Sequence, residues 1–270
     1  MGYEAVTMER EGPVAVLTLN RPRRLNAMSK TMLLEMQEVC DVVEDDADIR
    51  ALVVTGAGAA FSSGFDLQDQ AASTPVGAAE WRPALRRDFD AVMRFWRLSK
   101  PTIAAVEGPA LAGGCELALA CDLTIAGQSA RFGEPELKFG AGIVVMLLPW
   151  LVGPKKAKEI ILLGMDDVPA PEALAMGMIT RVVPDGEALE VAKRLARHVA
   201  AIDPMVVRRT KAAINETFDR MGMTGALEAA LEADLALEGE GSVDKRDFLA
   251  ALRSGGMKGA LAWRDARFNV

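Results

Sequence analysis

Histidine and tyrosine are almost missing from this 270-residue chain, which has one of each, His198 and Tyr3. A Ser-His-Asp or Cys-His nucleophile system must therefore use His198 or not exist. Cysteine is nearly as scarce. Cys40, Cys115 and Cys121 leave one thiol unpaired at best and lack the spacing of a zinc site. No bound metal is expected, and a thiol-tolerant cytoplasmic setting is. Positive charge is in deficit: 31 Lys and Arg face 38 Asp and Glu, a formal net charge of −7. Such a surface has no general attraction for nucleic acid or an anionic membrane, and an anionic ligand needs local help. No apolar run approaches the ~18 residues of a bilayer span. The opening MGYEAVTMEREG also lacks the basic-then-apolar pattern of a secretory signal. Carboxylates and backbone dipoles are left to carry any chemistry.

What is present suits a packed α/β core. Half of the residues are hydrophobic, and area scaling predicts that folding buries nearly three quarters of the chain's surface, roughly, without a staple. Residues 3–8 and 13–19 read as a hairpin turning through Glu9-Arg10-Glu11-Gly12. Ser29 can cap a helix that carries Met32, Leu33, Met36, Val39, Cys40 and Val43 at helical spacing. Residues 51–55, 102–106 and 123–126 are apolar, doubly buried strands, with a helix over 78–98 between the first two. From Glu187 onward the pattern is helix after helix. Cores of this kind place ligands where loops leave strand ends beside helix N-termini.

Four spots deserve a chemical reading. Gly56-Ala57-Gly58 follows a strand but lacks the rest of a dinucleotide fingerprint, so a plain strand-to-loop turn is the expectation. Gly113-Gly114-Cys115-Glu116 opens a short helix, where unscreened N–H groups and the helix dipole suit a carbonyl oxygen becoming an oxyanion. The same segment also reads as close helix packing with a dipole-matched Glu. Ser62-Ser63-Gly64-Phe65-Asp66 is a second turn able to supply donors, or an ordinary helix cap. In Glu134-Pro135-Glu136 the proline fixes the backbone, so one carboxylate is expected to point away from the other. If Glu136 shares a cleft with Glu116, the pair supplies an acid and a base near neutral pH. His198 reads as an exposed helix residue, Cys115 and Cys121 as core. Lys155-Lys156-Ala157-Lys158 reads as a solvated face, and residues 143–148 as core that can wall an apolar pocket.

Taken in order, NRPRRLNAM (20–28), ALVVTGAGAAFSSGFDL (51–67), KPTIAAVEGPALAGGCELALACDLTIA (100–126) and RFGEPELKFG (131–140) resemble the crotonase superfamily, the enoyl-CoA hydratase/isomerase family. LVGPKKAKEIILLG and APEALAMGMITRVVP extend the likeness, which covers most of residues 13–185. The resemblance implies an α/β fold: a crotonase-like spiral of strand-strand-helix turns over 1–200 and a helical trimerisation domain over 201–270. It implies an oxyanion hole from the N–H groups of Phe65 and Gly113, and catalytic carboxylates at Glu116 and Glu136. Keeping both glutamates is hydratase-like, since family isomerases generally keep only the second. Coenzyme A is expected along Arg24, Leu25 and Ala27 and along Ser63, Gly64, Asp66 and Leu67, with Gly114 beside the oxyanion hole. The implied partner is an acyl-CoA substrate of fatty acid metabolism, with no separate cofactor, in a homotrimer or dimer of trimers. A family isomerase or hydrolase, or a non-catalytic acyl-CoA-binding paralogue, are the other readings. Three departures stand out. The segment 141–149 is shorter by about three residues than is usual, Gln68 replaces a common Lys, and Glu107 replaces a common Asn.

Overall fold

The computed structural model describes residues 2–73 and 75–268. Its chain runs β1 (Val6–Glu11), β2 (Val14–Leu19), α1 (Lys30–Asp45), β3 (Ala51–Gly56), α2 (Leu67–Ser73), α3 (Gly77–Arg97), β4 (Thr102–Val106), β5 (Pro109–Leu111) and α4 (Gly113–Ala120). It continues through β6 (Leu123–Gly127), β7 (Arg131–Gly133), α5 (Leu148–Leu162), β8 (Val168–Pro169), α6 (Ala170–Ala175) and β9 (Arg181–Val183). Four helices close it: α7 (Ala188–Ala200), α8 (Pro204–Arg220), α9 (Met223–Glu240) and α10 (Val243–Ala266).

The strands form a six-stranded sheet in the order β1-β2-β3-β4-β6-β9 and a three-stranded sheet β5-β7-β8. From β2 onward the large sheet is parallel, and β5 pairs parallel with β7. Successive passes leave one strand in each sheet, β4 then β5, β6 then β7. This is the expected spiral. Alternation along the strands explains why both faces of the large sheet are covered. Val14, Val16, Val53, Ile103 and Ile125 pack against Val191, Ala192 and Ala196 of α7. Ala15, Leu17, Leu52, Val54, Ala104 and Ala126 face the main core with α1, α3 and α4.

Local sequence accounts for much of this. Ser29 caps α1 by accepting from the Met32 N–H at 3.2 Å, as its position predicts. The hairpin turn differs from expectation. It lies at Gly12-Pro13, Glu11 pairs with Val14, and Glu9–Glu11 continue β1. This is an edge strand, where charged side chains reach water and discourage pairing with another sheet. Gly12, at φ +60°, takes the left-handed turn position. Glu107, the departure from the family's Asn, accepts from Gly186 N–H (2.9 Å) and Ala188 N–H (3.1 Å) and so anchors the start of α7. Helix α9 lays Met223, Leu227, Leu231 and Leu235 into the main core. By contrast α8 leaves Met205, Val206, Ile214 and Met221 exposed.

Candidate active site

Two loops are stitched together at the carboxyl ends of β2 and β3. Leu25 and Asn26 both sit at positive φ, +49° and +53°. This turn buries the Asn26 side chain, whose Nδ2 donates to the Ala57 and Ala60 carbonyls at 2.9 and 2.8 Å. Its Oδ1 accepts the Arg21 N–H at 3.0 Å. Asn26 thereby ties residues 24–27 to the loop after β3. On the other side, the Arg21 guanidinium bonds buried Asp66 at 2.8 Å. Sequence reading takes Asn26 only as part of the backbone expected along coenzyme A and passes over Arg21, because neither side chain's role is visible without the partner loop.

The second loop approaches α4 closely. Phe65 forms a parallel bridge to Met28, in which Met28 N–H donates to Gly64 O and Asp66 N–H donates to Met28 O. That alternation leaves the Phe65 N–H with no acceptor among the described residues. At the head of α4, Ala112 takes φ +53°, ψ −134°, a conformation costly for a residue with a Cβ. Gly113 follows as the first helical residue, where an N–H has no intrahelical partner. A Cβ on Gly64 would lie 2.7 Å from Ala112 Cβ and 3.1 Å from Gly113 N. A Cβ on Gly113 would lie 2.6 Å from the Phe65 ring. Glycine at both places lets two free donors come together, which is the arrangement an oxyanion needs. Gly114 serves packing in the same way, since a Cβ there would lie 2.5 Å from Ser62 O.

Behind these donors, one turn into α4, Glu116 is fully buried and accepts the Val145 N–H at 2.8 Å through Oε1. The structure brings Glu136 to it. It also brings Glu134, against expectation: carboxylate oxygens of Glu116, Glu134 and Glu136 all lie within 4.8 Å of one another, and all three residues are buried. Pro135 sits at φ −82°, ψ 4°, and Glu136 opens a tight 3-10 turn. The chain turns here, and the Glu134 and Glu136 carboxylates both end in the one buried cluster. Burial pushes Glu116 up from 4.5 to about 8, with the charges of Asp234 and Asp88 adding to it and the Val145 N–H opposing. Glu134 and Glu136 are raised well above the ordinary carboxylate value, again first by burial and then by the neighbouring carboxylates. The three carboxylates also lie close enough to hold a cation, which would have to compete with protons whose binding burial favours.

A cavity of about 440 Å³ opens on this cluster. Arg24, Leu25, Ala27, Ser63, Phe65, Asp66, Leu67 and Glu136 line it, along with Gln68 and Arg23. Gly64, Gly113, Gly114 and Glu116 do not line it themselves, though Gly64 packs on the lining residue Ala112 and Gly113 on the lining residue Phe65. The Gly56 turn is structural, as expected, because a Cβ there would overlap the Ala60 and Phe61 carbonyls. His198 is exposed on α7, and the three cysteines are free and buried.

Glu116 makes a testable signature in stability. A carboxyl whose folded value is raised contributes stability that is present below its unfolded value near 4.5 and lost as pH rises through about 8. In Glu116→Gln that dependence vanishes, while the amide oxygen can still accept from Val145. The melting temperature of the parent protein should therefore fall relative to Glu116→Gln between about pH 5 and about pH 9. A difference that stays constant over that range would contradict the burial argument.

The spiral, the paired donors and the buried carboxylates define a protein of the crotonase superfamily. Residues 9–241 match the family model described as enoyl-CoA hydratase/isomerase, so the chain belongs to that family. A putative enoyl-CoA hydratase of Thermus thermophilus is 44% identical over 206 residues, covering 74% of this chain and 80% of the relative. The short-chain-enoyl-CoA hydratase of Clostridium acetobutylicum is 36% identical, covering 93% and 95%. The crystal structure of an enoyl-CoA hydratase/isomerase from Xanthobacter autotrophicus Py2 superposes with a TM-score of 0.98 at 58% identity, covering all of both chains.

Proposed function

We propose that the protein is an enoyl-CoA hydratase, adding water reversibly across the 2,3 double bond of an acyl-CoA thioester. The observation that carries this reading is the convergence of Glu116 and Glu136 beside the unpaired N–H groups of Phe65 and Gly113. Relatives named short-chain-enoyl-CoA hydratase and crotonyl-CoA hydratase support it.

In this mechanism the thioester oxygen accepts hydrogen bonds from Phe65 and Gly113, which stabilise the enolate as the carbon–oxygen bond forms at C3. Glu116, which burial raises to about 8 and so makes a stronger base when ionised, while the Val145 N–H favours that ionised form, holds the attacking water and takes its proton. Glu136, whose proton affinity is raised by burial and then by its carboxylate neighbours, delivers a proton to C2. Different environments thus assign a base and an acid to two like side chains. The reaction so written needs no metal and no cofactor beyond the coenzyme A of its own substrate. Arg23 and Arg24 supply local positive charge for the phosphates on a chain of net charge −7.

The same reading places the enzyme in the cytoplasm, in keeping with three unpaired thiols; among the described residues no helix is long and apolar enough to cross a membrane. It assembles as a homotrimer or dimer of trimers, for which the apolar residues left exposed on α8 offer a surface. Incubation with crotonyl-CoA tests the activity. Loss of enoyl-thioester absorbance should accompany a product heavier by one water. An isomer of unchanged mass, or free coenzyme A, would instead mark an isomerase or a hydrolase. Binding without turnover would mark a non-catalytic paralogue.

A further inference from the structure

The cavity that opens on the carboxylate cluster is apolar over much of its far end, where Leu85, Val144, Phe139 and Phe248 line it. Three charged side chains break that wall, Asp234, Glu238 and Lys245. Asp234, contributed by α9, lines the cavity and is 5% exposed. Its Oδ1 is buried with no hydrogen-bond partner among the described residues. The Gly142 N–H leans toward the carboxylate without meeting hydrogen-bond geometry.

The neighbouring charges do not satisfy it. Lys245 is engaged by Glu238, with Nζ at 2.7 and 2.9 Å from the two carboxylate oxygens. Asp88, the other buried acid nearby, is held by Arg87 at 2.7 Å. Of the three acids here, Asp234 alone has no ion pair and no hydrogen bond of good geometry, with only the charge of Lys245 and the leaning Gly142 N–H to offset its own. Buried polar groups are normally partnered, and a buried acceptor that lacks a donor is costly. Glycine at 142 makes room for the carboxylate itself, since a Cβ there would overlap Asp234 Oδ1.

We propose that the far end of this cavity recognises a hydrogen-bond-donating group, a hydroxyl or an ammonium, carried on the acyl chain of the substrate, with Asp234 as the acceptor. This rests on the acyl-CoA reading above and narrows its substrate class. An acyl chain without such a group would seal Asp234 away from water with nothing to bind. Burial and the charge of Glu238 push Asp234 up from 3.8 to about 7, which leaves it able to accept a hydrogen bond in either protonation state. The donor should sit a short distance from the reacting carbons. Asp234 abuts Gly142 and Glu116 holds Val145, three residues apart and so no more than about 11 Å along the chain.

Calorimetric titration of the intact protein with saturated acyl-CoAs of four to eight carbons, bearing a terminal methyl, hydroxyl or amino group, tests this. Saturated ligands cannot be hydrated, so the result is independent of the proposed hydratase activity. At one chain length the hydroxyl or amino ligand should bind tighter than its methyl counterpart by about tenfold or more. Asp234→Ala should bring the two within about twofold by weakening the polar ligand alone. Asp234→Asn, which keeps an acceptor and loses the charge, separates the two donors: a hydroxyl preference survives it and an ammonium preference does not. Thermal melts establish that the variants are folded, as expected where a carboxylate without a partner is removed. Methyl-terminated ligands binding as tightly at every length, or a preference that persists in Asp234→Ala, would overturn the proposal. Failure to turn over crotonyl-CoA with the binding preference intact would overturn the hydratase reading and leave this one standing.

Discussion

Glu116→Gln and Glu136→Gln should each lower kcat for hydration of crotonyl-CoA by about 10²–10⁴-fold, the usual worth of a positioned acid or base. The Michaelis constant should move far less. Glutamine keeps the size and one acceptor oxygen of glutamate, so the Val145 N–H and the cavity wall survive while the proton transfers do not. The two losses should not add. A water that cannot be deprotonated and an enolate that cannot be protonated stall the same overall addition, so the double variant should be little worse than either single one. Stopped-time absorbance assays on the three variants read this directly. Undiminished activity in both single variants would remove the two-carboxylate mechanism.

Gly64→Ala should cost about 10²–10³-fold in kcat, the loss seen when one oxyanion donor is removed, although it leaves every polar side chain in place. Gly64 holds φ +96°, and its Cβ would press on Ala112 Cβ at 2.7 Å, Leu111 O at 3.0 Å and Gly113 N at 3.1 Å. Relief requires the loop carrying Phe65 and the head of α4 to separate, which pulls the two donors out of register for one oxygen atom. Backbone strain alone would also destabilise the protein, so Gly186→Ala serves as the control. It has a similar φ of +82° and meets nothing within 4 Å. Both variants should lose melting temperature, and only Gly64→Ala should lose turnover out of proportion to folded protein. Equal activity in the two would mean that the close approach of the loops is packing only.

Local features of the chain were legible before the fold was known. The helix after Ser29, the strand at Ala51–Gly56 and the helix at Gly77–Arg97 follow from capping and from apolar spacing, which act between near neighbours. Glu116 and Glu136 were legible as candidates because each sits in a short distinctive motif. Glu134 was misread. The proline between two acids is expected to point one carboxylate away from the other, yet at the turn that leads into Glu136–Phe139 both enter the buried cluster. The turn is held by contacts outside the motif, among them Ser242 Oγ donating to Gly140 O at 2.8 Å, 102 residues away. Arg21 with Asp66, and Asp234 with the cavity, likewise join residues too far apart in sequence for any local pattern to register.

By itself, then, the sequence determined the reagents. With one His and one Tyr, both far from the cleft motifs, a chemistry of carboxylates and backbone N–H groups was the one available. It also determined most of the elements that carry them, because capping, strand burial and helical spacing are short-range effects. Only the tertiary structure decided how those groups are tuned. Burial raises the proton affinity of Glu116, Glu134 and Glu136, and nearby carboxylates contributed by other segments add to it, in a way no single motif encodes. Likewise, the side chain that faces the far end of the cavity comes from α9, more than a hundred residues beyond Glu116, and enters the site because α9 buries its leucines in the core against α3.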